Sequence, residues 1–128
     1  MILDTCALLS LIGLTPKRLS TSTLRSVHTA EYVYLSSCSL FEIAIKHKKR
    51  GMDLGGFGNP QNLWNAAVHE YQLTELTVSH DIFYEAVLLP DFHADPFDRI
   101  IIAHARKEGI PVATFDATFR HYGVTVIE

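Results

Sequence analysis

The feature that most constrains the fold is the alternation of short apolar segments with longer segments of helical periodicity. Five segments are aliphatic, β-branched or aromatic, as strands are: residues 1–5, 32–36, 76–78, 111–115 and 124–127. Six segments carry apolar residues at helical spacing: residues 6–14, 17–30, 39–50, 60–73, 79–89 and 96–108. Strands that are apolar on both faces and separated by helices indicate a parallel sheet covered on both sides. We predict an α/β/α sandwich with a mostly parallel central sheet of about four or five strands.

The length of the chain predicts one domain. It has 128 residues and no internal repeat, and domains usually contain ~100–150 residues. Residues 52–59 include three glycines and have neither strand nor helix periodicity, so we interpret them as an internal loop rather than a linker. A single domain over residues 1–128 is therefore expected.

Charge and hydropathy exclude several function classes. Eleven Lys and Arg against 14 Asp and Glu give a formal charge of −3, which argues against a uniformly basic nucleic-acid coat protein. The longest apolar stretch, residues 7–14, is too short to cross a bilayer, which takes roughly 20 residues, and no cationic leader precedes it. Cys6 and Cys38 show no CxxC spacing, so we expect reduced thiols. We expect a cytoplasmic protein without a membrane segment.

Four acids fall where parallel strands end or where the next helices begin. Asp4 ends the first predicted strand, Glu42 follows the second by one helical turn, Asp98 begins the late helix and Asp116 follows the fourth strand. Functional sites in such sheets collect at the carboxyl ends of the strands. Clustered carboxylates repel each other unless a divalent cation neutralises them, and all-oxygen ligands favour Mg²⁺ or Mn²⁺. The seven histidines are scattered without a zinc motif.

Helix capping is a second interpretation of each acid. Asp4 could cap the helix that follows it, and Ser39 to Glu42 fits a capping box in which the glutamate closes on the N-cap amide. Asp95 fits an N-cap with Asp98 at the third helical position, and Asp116 could start a short helix. Position alone leaves both interpretations open, because this rim is also where helices begin.

At these residues the chain resembles the PIN-domain ribonuclease family, and more narrowly the VapC-type toxins of bacterial toxin–antitoxin pairs. The resemblance lies in Leu-Asp-Thr at residues 3–5, in Ser-x-x-Glu-Ile-x-x-Lys at 39–46, in the Asp-Pro-Phe-Asp-Arg segment within 93–105, and in Thr-x-Asp at 114–116. It covers nearly the whole chain. It implies a PIN-like fold and a Mg²⁺- or Mn²⁺-dependent endoribonuclease that leaves 5′-phosphates.

The resemblance also implies roles for individual residues. Asp4, Glu42, Asp98 and Asp116 would be the catalytic, metal-binding acids. Thr5 and Thr114 would orient a carboxylate or water, and Asp95 would chiefly cap its helix. The family often has a polar residue where this chain has Cys6, so no polar role is expected at that position. An antitoxin protein partner and a homodimer are implied as well.

The basic residues of the third helix provide a local contact for a polyanion. Lys46 lies four residues after Glu42, so it shares that helix face and could touch the scissile phosphate or pair with the glutamate. The run from Lys46 to Arg50 could bind RNA backbone or simply complement the helix dipole. Arg99 follows Asp98 directly and is interpreted as a phosphate contact or a partner of the acids.

Two other functions compete with the nuclease. A haloacid-dehalogenase-like phosphatase would use Asp4 as nucleophile, but such enzymes resemble Asp-x-Asp at this point and residue 6 is Cys6. A catalytically silent PIN-like domain that only binds RNA or a partner would need none of the four acids together. A receiver-type signalling domain lacks its acidic pair and late lysine in matching places.

Overall fold

The computed structural model describes residues 1–128 and contains five strands, six α-helices and two 3₁₀ segments. The strands are β1 (Ile2–Leu3), β2 (Tyr34–Ser36), β3 (Thr74–Leu76), β4 (Val112–Ala113) and β5 (Val126–Ile127). The α-helices are α1 (Thr5–Leu11), α2 (Thr21–Thr29), α3 (Cys38–Arg50), α4 (Pro60–Glu70), α5 (His80–Leu88) and α6 (Pro96–Glu108). The 3₁₀ segments are Gly55–Phe57 and Ala117–Tyr122.

All five strands form one parallel sheet in the order β3-β2-β1-β4-β5. The chain builds outwards from β1 to β2 and β3, and then returns to the other side of β1 with β4 and β5. The sheet therefore has a topological switch point at β1, where ligands of such sheets bind beyond the carboxyl ends of the strands. The predicted α/β sandwich with a mostly parallel sheet is confirmed.

The alternation of side chains along the strands creates a separate core on each face. Leu3 and Leu35 are fully buried in one cluster, together with Leu63 of α4. The neighbouring residue Ile2 is buried in the other cluster, together with Ile101 of α6. Burial of each such side chain contributes about 1.5–3 kcal/mol, so the two cores hold helices firmly on both faces.

The boundaries of α3 and α6 follow the sequence signals. The Asp95 carboxylate caps α6 by accepting from the amides of Phe97 and Asp98, and Pro96 occupies the first turn. Gly109 ends α6 with a φ of 65°, and Gly51 ends α3 with a φ of 63°. Both glycines adopt the left-handed conformation that a helix C-terminus favours.

The predicted helix over residues 17–30 is wrong at its start. Helix α2 begins at Thr21, and the Ser20 hydroxyl caps it by accepting from the Thr23 amide at 3.1 Å. Ser10 holds the preceding segment outside the helix, because its hydroxyl donates to the Lys17 carbonyl and accepts from the Leu19 amide. Ser10 of α1 thus makes the hydrogen bonds with Lys17 and Leu19 that a helical turn would otherwise provide.

The region between α4 and β3 also differs from the prediction. Helix α4 ends at Glu70 rather than at residue 73, because Gln72 takes a left-handed φ of 53° and redirects the chain. Strand β3 consists of Thr74–Leu76 instead of residues 76–78. It is an edge strand in which Thr74 and Glu75 are exposed, so its residues need not be apolar.

The capping-box interpretation of Ser39 and Glu42 is wrong. Helix α3 begins at Cys38, which places Ser39 inside the helix rather than at its cap. The Ser39 hydroxyl accepts a hydrogen bond from Thr5 at 2.9 Å, and Glu42 pairs with Lys46 instead of returning to the helix start. The Glu42 carboxylate is therefore available at the sheet rim.

Both cysteines are free thiols, Cys6 exposed and Cys38 buried. No helix is both long enough and apolar enough to span a membrane.

Candidate metal centre at the carboxyl ends of the strands

The four predicted acids occupy neighbouring positions at the switch point of the sheet. Asp4 follows β1, Glu42 is in the second turn of α3 after β2, Asp98 is in the first turn of α6, and Asp116 follows β4. Asp4 and Glu42, here called the inner pair, are each 4% exposed. The outer pair, Asp98 and Asp116, has side chains that are 22% and 40% exposed. The fold therefore brings all four carboxylates to one rim, at different depths.

Asp4 is the most constrained carboxylate of the inner pair. It caps α1 by accepting from the Ala7 amide at 2.6 Å. Burial raises the pKa of Asp4 to about 6, although hydrogen bonds from Thr114 and the Ala7 amide oppose the shift, and the charges of Glu42 and Asp116 add to it. A cation at this carboxylate would return it to the ionised form.

Glu42 has one carboxylate oxygen in an ion pair and one that is buried without a partner. Its Oε2 atom pairs with Lys46 Nζ at 2.5 Å. Its Oε1 atom is buried and has no hydrogen-bond partner. A buried polar atom without a partner costs about 1–3 kcal/mol, so this oxygen requires an explanation. A bound cation supplies one, because Oε1 belongs to a group of carboxylates.

The outer pair is linked by a histidine. His93 Nε2 lies 2.8 Å from Asp116 Oδ2 and 3.1 Å from Asp98 Oδ2. Desolvation alone would raise the pKa of Asp116, but hydrogen bonds from Thr118 and His93 outweigh it, and the pKa is lowered. Asp116 therefore stays ionised at neutral pH.

Asp98 behaves differently from Asp116 although both contact His93. Burial raises the pKa of Asp98 to about 7, the charges of Asp95 and Asp4 raise it further, and His93 lowers it. The repulsion by Asp4 shows that the inner and outer pairs share one electrostatic environment. A divalent cation would lower both raised pKa values and favour the ionised cluster.

Asp4 and Asp116 each cap a helix through one carboxylate oxygen only. Asp116 accepts from the Thr118 amide through Oδ1, while Oδ2 faces His93. Asp4 likewise caps through Oδ1. The capping interpretation is thus correct for Asp4 and Asp116, and it leaves the second oxygen of each carboxylate for another partner.

The three residues predicted to support the acids differ in what they contact. Thr114 lies against the cluster, where its hydroxyl accepts from the Asp116 amide at 3.0 Å and hydrogen-bonds Asp4. Thr5 donates to Ser39 and so ties α1 to α3 rather than orienting a carboxylate. Asp95 caps α6, and its charge acts on Asp98.

The position of Arg99 corrects the prediction that it contacts the acids or a phosphate. Its guanidinium is buried and donates to five backbone carbonyls, two in the last turn of α5 and three in the segment that joins α5 to α6. One of them is the His93 carbonyl, at 2.9 Å. The only carboxylate near the guanidinium is the fully exposed Asp91, at 3.8 Å. Arg99 therefore organises the loop that carries His93 instead of facing the cluster.

His93 is the site residue that the sequence interpretation missed. It was counted among seven scattered histidines, because its partner Asp116 lies 23 residues further along the chain. The available signal was its place two residues before the Asp95 cap, within the segment that resembles the family motif. That position predicts that His93 lies near Asp98, but it does not predict the contact with Asp116.

Cys6 contributes no thiolate to the site. Desolvation raises the pKa of Cys6, and the nearby charges of Asp4 and Glu42 raise it further. The thiol therefore remains protonated at neutral pH, whereas a metal ligand must be a thiolate. The residue that departs from the family pattern leaves the oxygen-rich character of the cluster intact.

The donor set fits a hard divalent cation. Asp4, Glu42, Asp98 and Asp116 offer only carboxylate oxygens, and Mg²⁺ and Mn²⁺ prefer such ligands. The partnerless Glu42 Oε1 and the raised pKa values of Asp4 and Asp98 are what such a cation would relieve. The cluster is therefore suited to metal-supported chemistry on a phosphate.

Residues 1–124 match the PIN domain family, and the chain belongs to this family. PIN domains are generally nucleases, which leaves the phosphatase interpretation without support. No curated protein matches the sequence.

Solved structures share the fold at low sequence identity. The structure of FitAB bound to an IR36 DNA fragment aligns with a TM-score of 0.69 and 19% identity, over 98% of this chain and 92% of the other. A toxin–antitoxin complex from Klebsiella pneumoniae gives 0.67 and 17%, over 99% and 95%. FitAcB from Neisseria gonorrhoeae gives 0.61 and 18%, over 99% and 96%. These similarities extend over the whole PIN fold.

Proposed function

We propose that the chain is a Mg²⁺- or Mn²⁺-dependent endoribonuclease and the toxin of a VapBC-like toxin–antitoxin pair. The observation that carries the proposal is the group of four carboxylates in which Glu42 Oε1 is buried without a partner. Membership of the PIN family supports nuclease activity. The toxin–antitoxin complexes among the similar structures support the toxin role.

Asp4, Glu42, Asp98 and Asp116 would hold the metal. When bound, a divalent cation neutralises the scissile phosphate, lowers the pKa of an attacking water and stabilises the departing 3′ oxygen. The chain's own residues prepare this chemistry: Thr114 positions Asp4 and Asp116, and burial of the inner pair removes competing water. Asp116, whose pKa is lowered, stays ionised and is suited to bind the cation rather than to accept a proton from the water.

The second half of α3 carries a run of positive charge that begins with Lys46 beside Glu42. Lys48, Lys49 and Arg50 are exposed, and Lys46 is 36% exposed while it pairs with Glu42. Neutralising RNA phosphates with such residues provides affinity without sequence preference. A negatively charged protein can therefore hold a polyanion locally, and the backbone of RNA is the proposed substrate contact.

An apolar cleft supports a protein partner. About 570 Å³ of space between α3, α5 and α6 is lined by apolar side chains that include Phe41 and Phe83. Phe41 is 63% exposed and Phe83 is 52% exposed, which is costly for an uncovered surface. We assign this cleft to the antitoxin. Val87 and Leu88 at the C-terminal end of α5 are also exposed, and this apolar end supports a homodimer. The two free thiols are compatible with the cytoplasm.

The direct test is cleavage of a mixed RNA pool by antitoxin-free protein. The reaction is run with Mg²⁺, with Mn²⁺ and with chelator, and an Asp4→Asn variant is assayed in parallel. Asparagine is as good an N-cap as aspartate, so the variant keeps α1 and loses only the charge. We expect chelator-sensitive products with 5′-phosphates, and none from the folded variant.

Other outcomes separate the alternatives. Equal cleavage by wild type and Asp4→Asn would contradict the site assignment. Absence of both cleavage and metal binding would favour a catalytically silent PIN-like domain that binds RNA or a partner. Metal binding without cleavage of the pool would indicate a narrow RNA target, which a transcriptome-wide search for new 5′ ends would identify.

A further inference from the structure

The distances from His93 to the outer pair are compatible with two roles for this residue. Its Nε2 atom lies within 3.1 Å of one carboxylate oxygen from each member of the outer pair. The three side chains could together hold a metal ion, with His93 as a nitrogen ligand. Alternatively, Nε2 carries a proton, donates a hydrogen bond to Asp116 Oδ2 and lies beside Asp98 Oδ2. The second ring nitrogen distinguishes these roles.

The Nδ1 atom of His93 accepts a hydrogen bond from the Asp95 backbone amide at 3.1 Å. A nitrogen that accepts from an N–H group must present its lone pair, so the proton of the neutral ring lies on Nε2. Histidines that bind metals show the opposite arrangement, because their second nitrogen donates to a carboxylate, a carbonyl or water. The surroundings of His93 thus favour an Nε2–H donor and disfavour an Nε2 ligand.

We propose that His93 is a positioning residue that joins Asp98 and Asp116 through its Nε2–H group and does not bind the metal. The inference rests on the proposed metal site. It states that carboxylates are the only protein ligands of the metal. Its role is to hold the outer pair at a fixed spacing against mutual repulsion. The two carboxylates come from different elements, α6 and the segment after β4, and His93 hydrogen-bonds Asp116 and lies 3.1 Å from Asp98 Oδ2.

The surrounding structure fixes the ring of His93 from several sides. The His93 amide donates to the Tyr122 hydroxyl at 2.7 Å, and its carbonyl accepts from Arg99 at 2.9 Å. The ring packs edge-on against Phe119, with centroids 5.9 Å apart. Contacts on the amide, the carbonyl and both ring nitrogens leave little freedom to turn Nδ1 towards the carboxylates. Such support is what a positioning residue requires.

Pulsed electron paramagnetic resonance of the Mn²⁺-bound protein tests the proposal directly. A histidine bonded to Mn²⁺ produces a characteristic ¹⁴N modulation, and a carboxylate does not. We expect wild-type protein to bind Mn²⁺ without this modulation. We also expect His93→Ala to weaken Mn²⁺ affinity by about 10-fold, as loss of a residue that orients metal ligands does. His93→Gln, which retains an N–H donor of similar reach, should recover most of the affinity.

His80→Ala is the matched control, because the His80 side chain is 92% exposed and outside the cluster. It should bind Mn²⁺ like wild type. A ¹⁴N modulation in wild type that disappears in His93→Ala would overturn the inference and leave the metal site intact. Equal affinity of wild type and His93→Ala would also overturn it. Failure of wild type to bind Mn²⁺ would refute the metal site and the inference together.

The tautomer can be read in metal-free wild type, so the proposal does not depend on a variant that folds. Long-range ¹H–¹⁵N correlation spectra at about pH 9, well above the ordinary histidine pKa of about 6.5, identify the protonated nitrogen. We expect the proton on Nε2 of His93. A proton on Nδ1 would contradict the proposed donor.

Discussion

The inner and outer pairs of carboxylates occupy the same rim but are held in different ways. Asp4 and Glu42 are 4% exposed, and Lys46 is the only side-chain cation paired with them. Asp98 and Asp116 are more open and are joined by His93. The inner pair is therefore enclosed by the protein, whereas the outer pair is partly open and shares the contact with His93.

The protonation of the acids differs within the outer pair. Burial raises the pKa of Asp4 to about 6 and that of Asp98 to about 7, whereas hydrogen bonds lower the pKa of Asp116. Each pair contributes one carboxyl group that a cation would deprotonate or hold ionised. Burial of charge without compensation destabilises the metal-free protein and favours the bound state.

The largest expected effect is loss of cleavage when charge is removed from the inner pair. Asp4→Asn should reduce kcat by about 10³-fold, because a charged group that acts in the transition state is lost. The fold should persist, since asparagine caps α1 equally well. Single-turnover cleavage and far-UV circular dichroism measure the two effects. Retention of more than a tenth of the activity would contradict the central role of the inner pair.

Arg99→Met tests how strongly Arg99 stabilises the loop that carries His93 of the outer pair. Five carbonyls lose a charged donor, and those that remain buried lack a partner. We expect urea denaturation to give a loss of about 3 kcal/mol in the free energy of unfolding. Arg106→Met, an exposed position on the same helix, should change it by less than about 0.5 kcal/mol. Equal effects of the two changes would refute the organising role of Arg99.

The pH dependence of stability separates the two kinds of carboxylate. Asp4 and Asp98 bind protons more tightly in the folded state, so their contribution is greatest below pH 3.8 and is lost as pH rises through about 6 and 7. Metal-free protein should therefore lose several kcal/mol of stability between pH 4 and pH 8 from these groups. The lowered pKa of Asp116 acts in the opposite direction, since its contribution is lost as pH falls.

Urea denaturation across this pH range, with and without Mg²⁺, measures the effect. Asp4→Asn should flatten the decline towards high pH, and Asp116→Asn should not. Saturating Mg²⁺ should reverse the decline, because the cation binds the ionised carboxylates. An identical pH profile in wild type and Asp4→Asn would argue against the raised pKa of Asp4.

The smallest effect is expected from the cation of the inner pair. Lys46→Gln removes the partner of Glu42 Oε2 and should change stability by about 0.5 kcal/mol, because the lysine is partly exposed. Its main consequence should be a higher KM for RNA, since a phosphate contact is lost. Lys49→Gln, further along the exposed end of α3, is the matched comparison. Equal KM values for the two variants would remove any special role of Lys46.

The sequence was sufficient to predict the sheet and the rim on which the acids meet. Strand-end position located Asp4 and Asp116, because parallel strands end on the same side of a sheet. Proline after a capping aspartate and a following glycine gave the bounds of α6. These features depend on local chemistry, which a single sequence contains.

Features that depend on distant contacts were not predictable. The link between His93 and Asp116 joins an irregular segment to a 3₁₀ helix, and no periodicity relates them. The place of Arg99 directly after Asp98 predicts a contact with the acids, whereas its side chain points to carbonyls of α5 and of the loop that follows α5. The edge strand β3 was misplaced because its exposed residues are polar. In each case the tertiary contacts, rather than the local sequence, determine the outcome.

The central claim is that the inner and outer pairs form one cation site. Isothermal titration of Mn²⁺ into metal-free wild type, Asp4→Asn, Asp98→Asn and the exposed control Asp53→Asn tests it most directly. We predict saturable binding to wild type and to Asp53→Asn, and loss of that binding in both cluster variants. Wild-type binding by Asp4→Asn and Asp98→Asn would contradict the claim.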